Sequence, residues 1–359
     1  VEKDFPNMAA SRIAIGQHGV IAPESPAWVV AEIGQNHNGD RALAEALIDA
    51  AAWAGADAIK LVKRDLDSEL SHEGWHRPYD SQHAFGATYG EHRAALELSA
   101  DDFVALRDRA RHHGLGIVLT ACDAASLKLA AEIEVDAIKI ASRDLANVPL
   151  LELAARVPLP LIFSTGMSDL PEVDRAVDAI RRHTEQFVVM QCTSLYPLPL
   201  DEAHLRSLAT LAARYDALVG FSDHSEGVLL APIAVALGAR VIEKHITLDR
   251  KAKGSDHAAS LEPHDLKVMI DHIREVERSL GKADKPASPG VRRVRDKLGR
   301  SLVTRCPVPE GTRIEESMLV LKSPGEGLGW EQRHRVIGHR ACRDLPSNVM
   351  LYDRDVIAE

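Results

Sequence analysis

Eight short apolar runs, most of them followed by an amphipathic stretch rich in Ala and Leu, set the strongest limit on how this chain can fold. The first four are Trp28-Val29-Val30-Ala31-Glu32, Ala58-Ile59-Lys60-Leu61-Val62, Ile117-Val118-Leu119-Thr120 and Ala137-Ile138-Lys139-Ile140. The others are Leu161-Ile162-Phe163-Ser164, Phe187-Val188-Val189-Met190-Gln191, Ala217-Leu218-Val219 and Ala239-Arg240-Val241-Ile242. Near-continuous apolar runs mark strands buried on both faces, which is the condition of parallel strands joined through helices. Helical periodicity over 42–54, 100–113, 124–134, 172–183, 226–237 and 261–280 supplies those helices. Eight such units predict an α/β protein with a TIM (β/α)8 barrel, not an open doubly wound sheet. The G-x-G-x-x-G turn of a dinucleotide fold is missing after the first run. Ahead of the barrel, Ile13–Ile21 predicts a short hairpin that plugs its amino-terminal end.

The barrel with its hairpin is expected over residues 1–281, a Gly-, Pro-, Lys- and Ser-rich linker over 282–296, and a small β-rich domain over 297–359. A net charge of -10 argues against a nucleic-acid partner, because phosphate backbones are held by clustered Lys and Arg. No apolar run reaches the roughly eighteen residues of a membrane span, so no membrane partner is expected. Four cysteines without CxxC spacing indicate neither a disulfide frame nor a thiolate metal site, and the cytoplasm is the expected compartment. Residues before Met8 are expected to precede the native start.

Chemistry collects at the carboxyl ends of the runs. His224 and His245 each stand just past a run, in Ser222-Asp223-His224 and Glu243-Lys244-His245. On neighbouring strands they make half of a divalent-metal site with positions open to water or substrate, and Asp256 follows close behind. Lys60 and Lys139 interrupt apolar strands, which is costly without a counter-charge and suggests an anion held between them. Ser142, Ser164 and Ser222 add donors there. A Schiff-base lysine is the alternative chemistry. The connection from Lys63 to Ser99 is unusually long for a barrel, and its basic and aromatic residues are expected to cover a polyhydroxy or phosphorylated substrate.

The chain resembles the sialic acid synthases, enzymes that condense phosphoenolpyruvate into nonulosonic acids. The resemblance rests on Ala31-Glu32-Ile33-Gly34, Asn36-His37-Asn38-Gly39, Thr88-Tyr89-Gly90-Glu91-His92-Arg93, Ser164-Thr165-Gly166-Met167 and Gln191-Cys192-Thr193-Ser194 before Tyr196-Pro197. It continues through Ser222-Asp223-His224, Lys244-His245-Ile246-Thr247 and Gly254-Ser255-Asp256-His257. It implies that His224 and His245 bind Mn2+, with Mg2+ or Co2+ as alternatives. It implies that Lys60, Lys139, Ser142, Ser164, Ser194 and Ser222 hold phosphoenolpyruvate with Thr120 nearby, and that Glu32 lies near the reacting carbons. Tyr196 and Asp256 match positions that contact the acceptor, N-acetylmannosamine or its 6-phosphate. The resemblance further implies an antifreeze-like (SAF) tail domain and a domain-swapped homodimer.

The chain departs from the family pattern in four places. Leu61-Val62 replaces Phe-Gln, Ala141-Ser142-Arg143 replaces Gly-Ser-Gly, and Ser194 and Ser323 stand for an Asn and an Arg of bacterial members. The alternatives are therefore a phosphoenolpyruvate-dependent synthase for a different aldose, or a non-catalytic carbohydrate-binding homologue.

Overall fold

The computed structural model describes residues 12–281, 284–285 and 287–357; the segment before Met8 lies outside them. The chain divides into two compact units, residues 1–281 and 282–359.

In the first unit a two-residue-per-strand hairpin, β1 (Ile13–Ala14) and β2 (Val20–Ile21), precedes eight parallel strands. These are β3 (Trp28–Gly34), β4 (Ala58–Lys63), β5 (Gly116–Ala121), β6 (Ala137–Ile140), β7 (Leu161–Ser164), β8 (Phe187–Cys192), β9 (Leu218–Asp223) and β10 (Val241–His245). Each pairs with the next, and β10 pairs back onto β3, closing the barrel. The TIM barrel predicted from the eight apolar runs is the observed fold.

Strand alternation sorts the core into two layers. Residues pointing inward, such as Val30, Ala58, Val118, Ile162, Val188 and Val241, pack with hairpin residues Ile13, Ile15 and Ile21. The hairpin thus fills the amino-terminal end of the barrel and leaves its carboxyl end open. Outward residues such as Val29, Ile59, Phe163 and Phe221 pack under the helices. Side-chain caps start those helices where the strand loops end: Asp40, Asp123, Asn147 and Asp169 each accept from a first-turn N–H. No described helix is long and apolar enough to cross a membrane.

The second unit pairs β11 (Ser301–Thr304) with β12 (Leu319–Lys322) and β13 (Arg340–Ala341) with β14 (Val356–Ile357) over a small core around Leu302, Ile314, Val336 and Leu351. Part of the segment expected as linker, 282–296, is helical. Residues 282, 283 and 286 lie outside the described set, but Pro289–Leu298 is a helix, started by the Ser288 hydroxyl with Pro289 at its first position.

Candidate active site

The strand tips bring all twelve residues singled out from the sequence into one solvent-open cleft of about 640 Å³. Glu32 comes from β3, Lys60 from β4, Thr120 from β5, Lys139 from β6 and Ser164 from β7. Ser222 is the next-to-last residue of β9, with His224 just beyond the strand, and His245 ends β10. Ser142, Ser194, Tyr196 and Asp256 line the cleft from the loops above.

Between the two lysines the protein places a carboxylate of its own. The Glu243 carboxylate lies 3.4 Å from Lys60 Nζ and 3.4 Å from Lys139 Nζ. Glu32 makes a second, closer pair with Lys60 at 2.5 Å, and Thr120 Oγ1 accepts from the same ammonium at 2.9 Å. All four charged groups are buried. Burial raises Glu32 to about 7, with the Glu243 charge adding to the effect and Lys60 opposing it. Burial would raise Glu243 too, but Lys139 and Lys60 on either side outweigh it and hold that carboxyl low. Lys139 is pulled down by burial, with Glu243 only partly opposing, whereas Lys60 is held up by its two carboxylates against the same burial. Two carboxylates in one pocket thus occupy different protonation regimes. Glu243→Gln takes the carboxylate from the buried Lys139 ammonium, while Lys60 keeps Glu32, and is expected to cost about 3–5 kcal/mol of stability. Urea unfolding checks this, and an unchanged midpoint would remove Glu243 as the counter-charge.

Beside the lysines, hydroxyls cluster around one glycine. The Gly166 N–H donates to Ser142 Oγ at 3.0 Å. A Cβ on Gly166 would fall 2.6 Å from Ser194 Oγ and 2.7 Å from Cys192 Sγ, so only glycine lets these groups converge. Ser164 Oγ is buried with no hydrogen-bond partner, and Ser222 Oγ donates to Glu243 at 3.1 Å. A buried unpaired hydroxyl facing a cleft is costly unless a ligand completes it.

Across the mouth the two imidazoles lie with ring centroids 5.5 Å apart and planes tilted by 55°, and the Tyr196 ring packs on His224 at 4.1 Å, tilted by 32°. His224 Nδ1 donates to the Thr193 carbonyl at 3.0 Å, which fixes the tautomer and leaves Nε2 as the lone-pair nitrogen. His245 Nδ1 is buried without a partner, and burial lowers the pKa of that ring, keeping it neutral. These residues fit a divalent cation. Among the described residues no three His, Cys, Asp or Glu side chains converge on one point.

The cleft also holds residues that strand-end reasoning did not assign: Gln35, Arg64, Cys192 and Glu243. Glu243 had a signal, since it faces inward two residues before His245 on the same strand. Arg64 had none, being one basic residue in a long polar connection. Val62 and Arg143, both departures from the family pattern, line the cleft as well. Arg143 makes a hydrogen bond to the Cys122 thiol at 3.2 Å, with Glu69 and Asp144 each 3.5 Å away. The connection after β4 has a structure of its own. It folds into three short helices, Leu66–Glu69, His72–His76 and Tyr89–Ala94, and its aromatic residues pack on one another. Tyr79 stacks on His92 at 4.5 Å, and the Trp75 ring covers Gly90. Beyond β4 itself, only Arg64 of that connection lines the cleft.

The profile of the NeuB family matches residues 47–285. The N-acetylneuraminate-9-phosphate synthase of Mus musculus is 37% identical over 311 residues, covering 86% of each chain. The N,N'-diacetyllegionaminic acid synthase of Legionella pneumophila is 35% identical over 330 residues, 90% of this chain and 93% of the relative. Among solved structures, the N-acetylneuraminic acid synthetase of Leptospira borgpetersenii, crystallised with citrate, matches with a TM-score of 0.69 at 31% identity. That match covers 79% of this chain and 95% of the other.

Proposed function

The chain belongs to the NeuB family, and from that premise we propose the residue roles, metal and acceptor of its reaction. It is a sialic acid synthase-like enzyme that condenses phosphoenolpyruvate with an aldose and water, releasing phosphate. The observation that carries the assignment of roles is the meeting, in one cleft, of two lysines and a serine cluster with a pair of imidazoles.

Lys60 and Lys139 hold phosphoenolpyruvate together with Ser142, Ser164, Ser194 and Ser222, and Thr120 keeps the Lys60 ammonium aimed at it. The open-chain aldose places its aldehyde on the imidazole side, its hydroxyls against Tyr196 and Asp256. A divalent cation held by His224 and His245, Mn2+ first with Mg2+ or Co2+ as alternatives, supplies Lewis-acid polarisation of that aldehyde when bound. The π pair of the enol forms the new C–C bond from C3 to the aldehyde carbon, whose oxygen takes a proton. C2, left electron-poor, takes the oxygen of water, and Glu32 accepts the proton this releases. The tetrahedral carbon then expels phosphate with the electrons of its C–O bond, while its hydroxyl gives its proton to the departing phosphate and becomes the keto oxygen.

The acceptor we propose is N-acetylmannosamine or its 6-phosphate. A different aldose is the second reading, favoured by Val62 and Arg143, which change the cleft wall from an amide and a glycine to an isopropyl and a guanidinium. Phosphate release from phosphoenolpyruvate, measured with the free sugar, its 6-phosphate and other aldoses, with and without Mn2+, tests both readings. One acceptor is expected to give one phosphate per product. Release that ignores every aldose, or none with any of them, would sink the reading.

We assign residues 297–359 to an SAF domain and the active species to a domain-swapped homodimer in the cytoplasm. In support, the tail has a core of its own, too small to be expected to stand alone. A chain ending at Leu280 is expected to keep the barrel fold and lose about tenfold or more in turnover, as enzymes deprived of a covering element do. Full activity of the truncated chain would remove the tail from the reaction.

A further inference from the structure

We infer that Lys244, which does not reach the cleft, is a positioning residue that sets the separation of the two metal-binding imidazoles; the inference rests on the metal assignment above. On β10 the alternation of side chains sends Glu243 and His245 into the barrel and Lys244 outward. On β9 it sends Ser222 inward and Asp223 outward. Lys244 and Asp223 are register partners, so their side chains leave the two strands side by side. The layer they enter is apolar, built from Phe221, Ile242 and Ile246 under the helices.

There the two charges are fully buried, with Lys244 Nζ 2.9 Å from Asp223 Oδ2. The same ammonium donates to the Ser225 carbonyl at 2.5 Å, and Asp223 Oδ1 accepts from the Ser225 N–H at 2.8 Å. The residues on both sides of His224 are thus tied to Lys244, and Lys244 is the residue directly before His245. One ammonium group joins the two strand tips at the level where their imidazoles leave the backbone.

A fully buried ion pair in an apolar layer adds little net stability, because desolvation consumes what the attraction supplies. An apolar pair of similar volume would hold the strands together as well. It would not fix the turn at Ser225, since that needs a donor for the carbonyl and an acceptor for the N–H. The charged pair therefore supplies geometry that packing alone does not, and the geometry it fixes is the 5.5 Å spacing of His224 and His245.

Lys244→Met alone leaves an unpaired carboxylate in the apolar layer and is expected to impair folding. The informative variant is the full-length double substitution Asp223→Asn with Lys244→Met, which removes both charges at nearly constant volume. Mn2+ affinity and phosphoenolpyruvate affinity are measured separately by calorimetry, with the visible absorption of the Co2+ form as a direct report on ligand geometry. The double variant is expected to bind Mn2+ about tenfold or more weakly, the size of effect seen when supports behind metal ligands are removed, with phosphoenolpyruvate affinity within about twofold. The Co2+ spectrum is expected to shift. Asp223→Asn alone keeps one acceptor for the Ser225 N–H but turns an amide donor or a single shared oxygen toward the Lys244 ammonium, and with that charge left unpaired it is expected to impair folding as Lys244→Met does. Unchanged Mn2+ affinity and an unchanged Co2+ spectrum in the double variant would overturn the inference. So would parallel losses in Mn2+ and phosphoenolpyruvate affinity, which mark a general structural role. Parent protein that binds none of these ions overturns the metal assignment itself, a distinct result.

Discussion

Glu32→Gln is expected to lower kcat by about 10²- to 10⁴-fold, the range lost with a general base, while the KM for phosphoenolpyruvate does not rise by more than about threefold. The separation of the two parameters follows from what Glu32 touches. Its carboxylate lies 2.5 Å from Lys60, so removing its charge frees that ammonium for the substrate anion instead of weakening the anion's hold. Glu243 remains between the lysines as counter-charge. Burial places Glu32 at about 7, close to working pH, where a carboxylate both accepts and releases a proton readily. The sign of the pH dependence is then set. A group that must be ionised to take the proton of water gives a kcat that falls as pH drops below about 7, and this acid limb is expected to vanish in Glu32→Gln. Steady-state kinetics over pH 5 to 9 reads both effects. Equal turnover in the variant would take Glu32 out of the chemistry, and an acid limb that survives would assign it to another group.

His224→Ala is expected to abolish measurable divalent-metal binding and to lower turnover by about 10³-fold, from the several kcal/mol that charge stabilisation by a bound metal supplies. Phosphoenolpyruvate binding is expected to persist, because the lysine and serine groups that hold it come mainly from other strands. The change also removes the ring against which Tyr196 packs at 4.1 Å, so the KM for the aldose is expected to rise as well. Calorimetric titration with Mn2+ and steady-state kinetics check the two parts. A variant that retains Mn2+-dependent turnover, or parent enzyme fully active in excess chelator, would contradict the role of the imidazole pair.

The barrel was legible because each of its strands is apolar on both faces, a pattern only central parallel strands carry. The cleft was legible for the same reason: a lysine or glutamate inside such a run, as at Glu32, Lys60 and Lys139, has no inexpensive place to go except the open strand end. What escaped was pairing. Glu243 looked like one more strand-end charge, and only the closed order of strands, with β10 beside β3, puts its carboxylate between Lys60 and Lys139. Lys244 and Asp223 gave no signal beyond their neighbours, since their register partnership exists only once β9 and β10 are aligned. The connection after β4 lacks apolar periodicity long enough to reveal its three helices, which are four to six residues each. The helix Pro289–Leu298 was readable in principle from Val291, Val294 and Leu298 at helical spacing. The Gly, Pro and Ser residues just before it made the segment look like plain linker.

Phosphoenolpyruvate carrying 18O in the oxygen that bridges C2 and phosphorus separates condensation in this cleft from ordinary phosphoryl chemistry. Attack by the enol carbon, followed by water at C2 and departure of phosphate through the C–O bond, predicts that the label appears in inorganic phosphate. The keto oxygen of the sugar acid should then come from solvent. Label retained in the organic product, with phosphate drawing its new oxygen from water, means P–O cleavage and would contradict the roles given to Glu32 and the paired lysines.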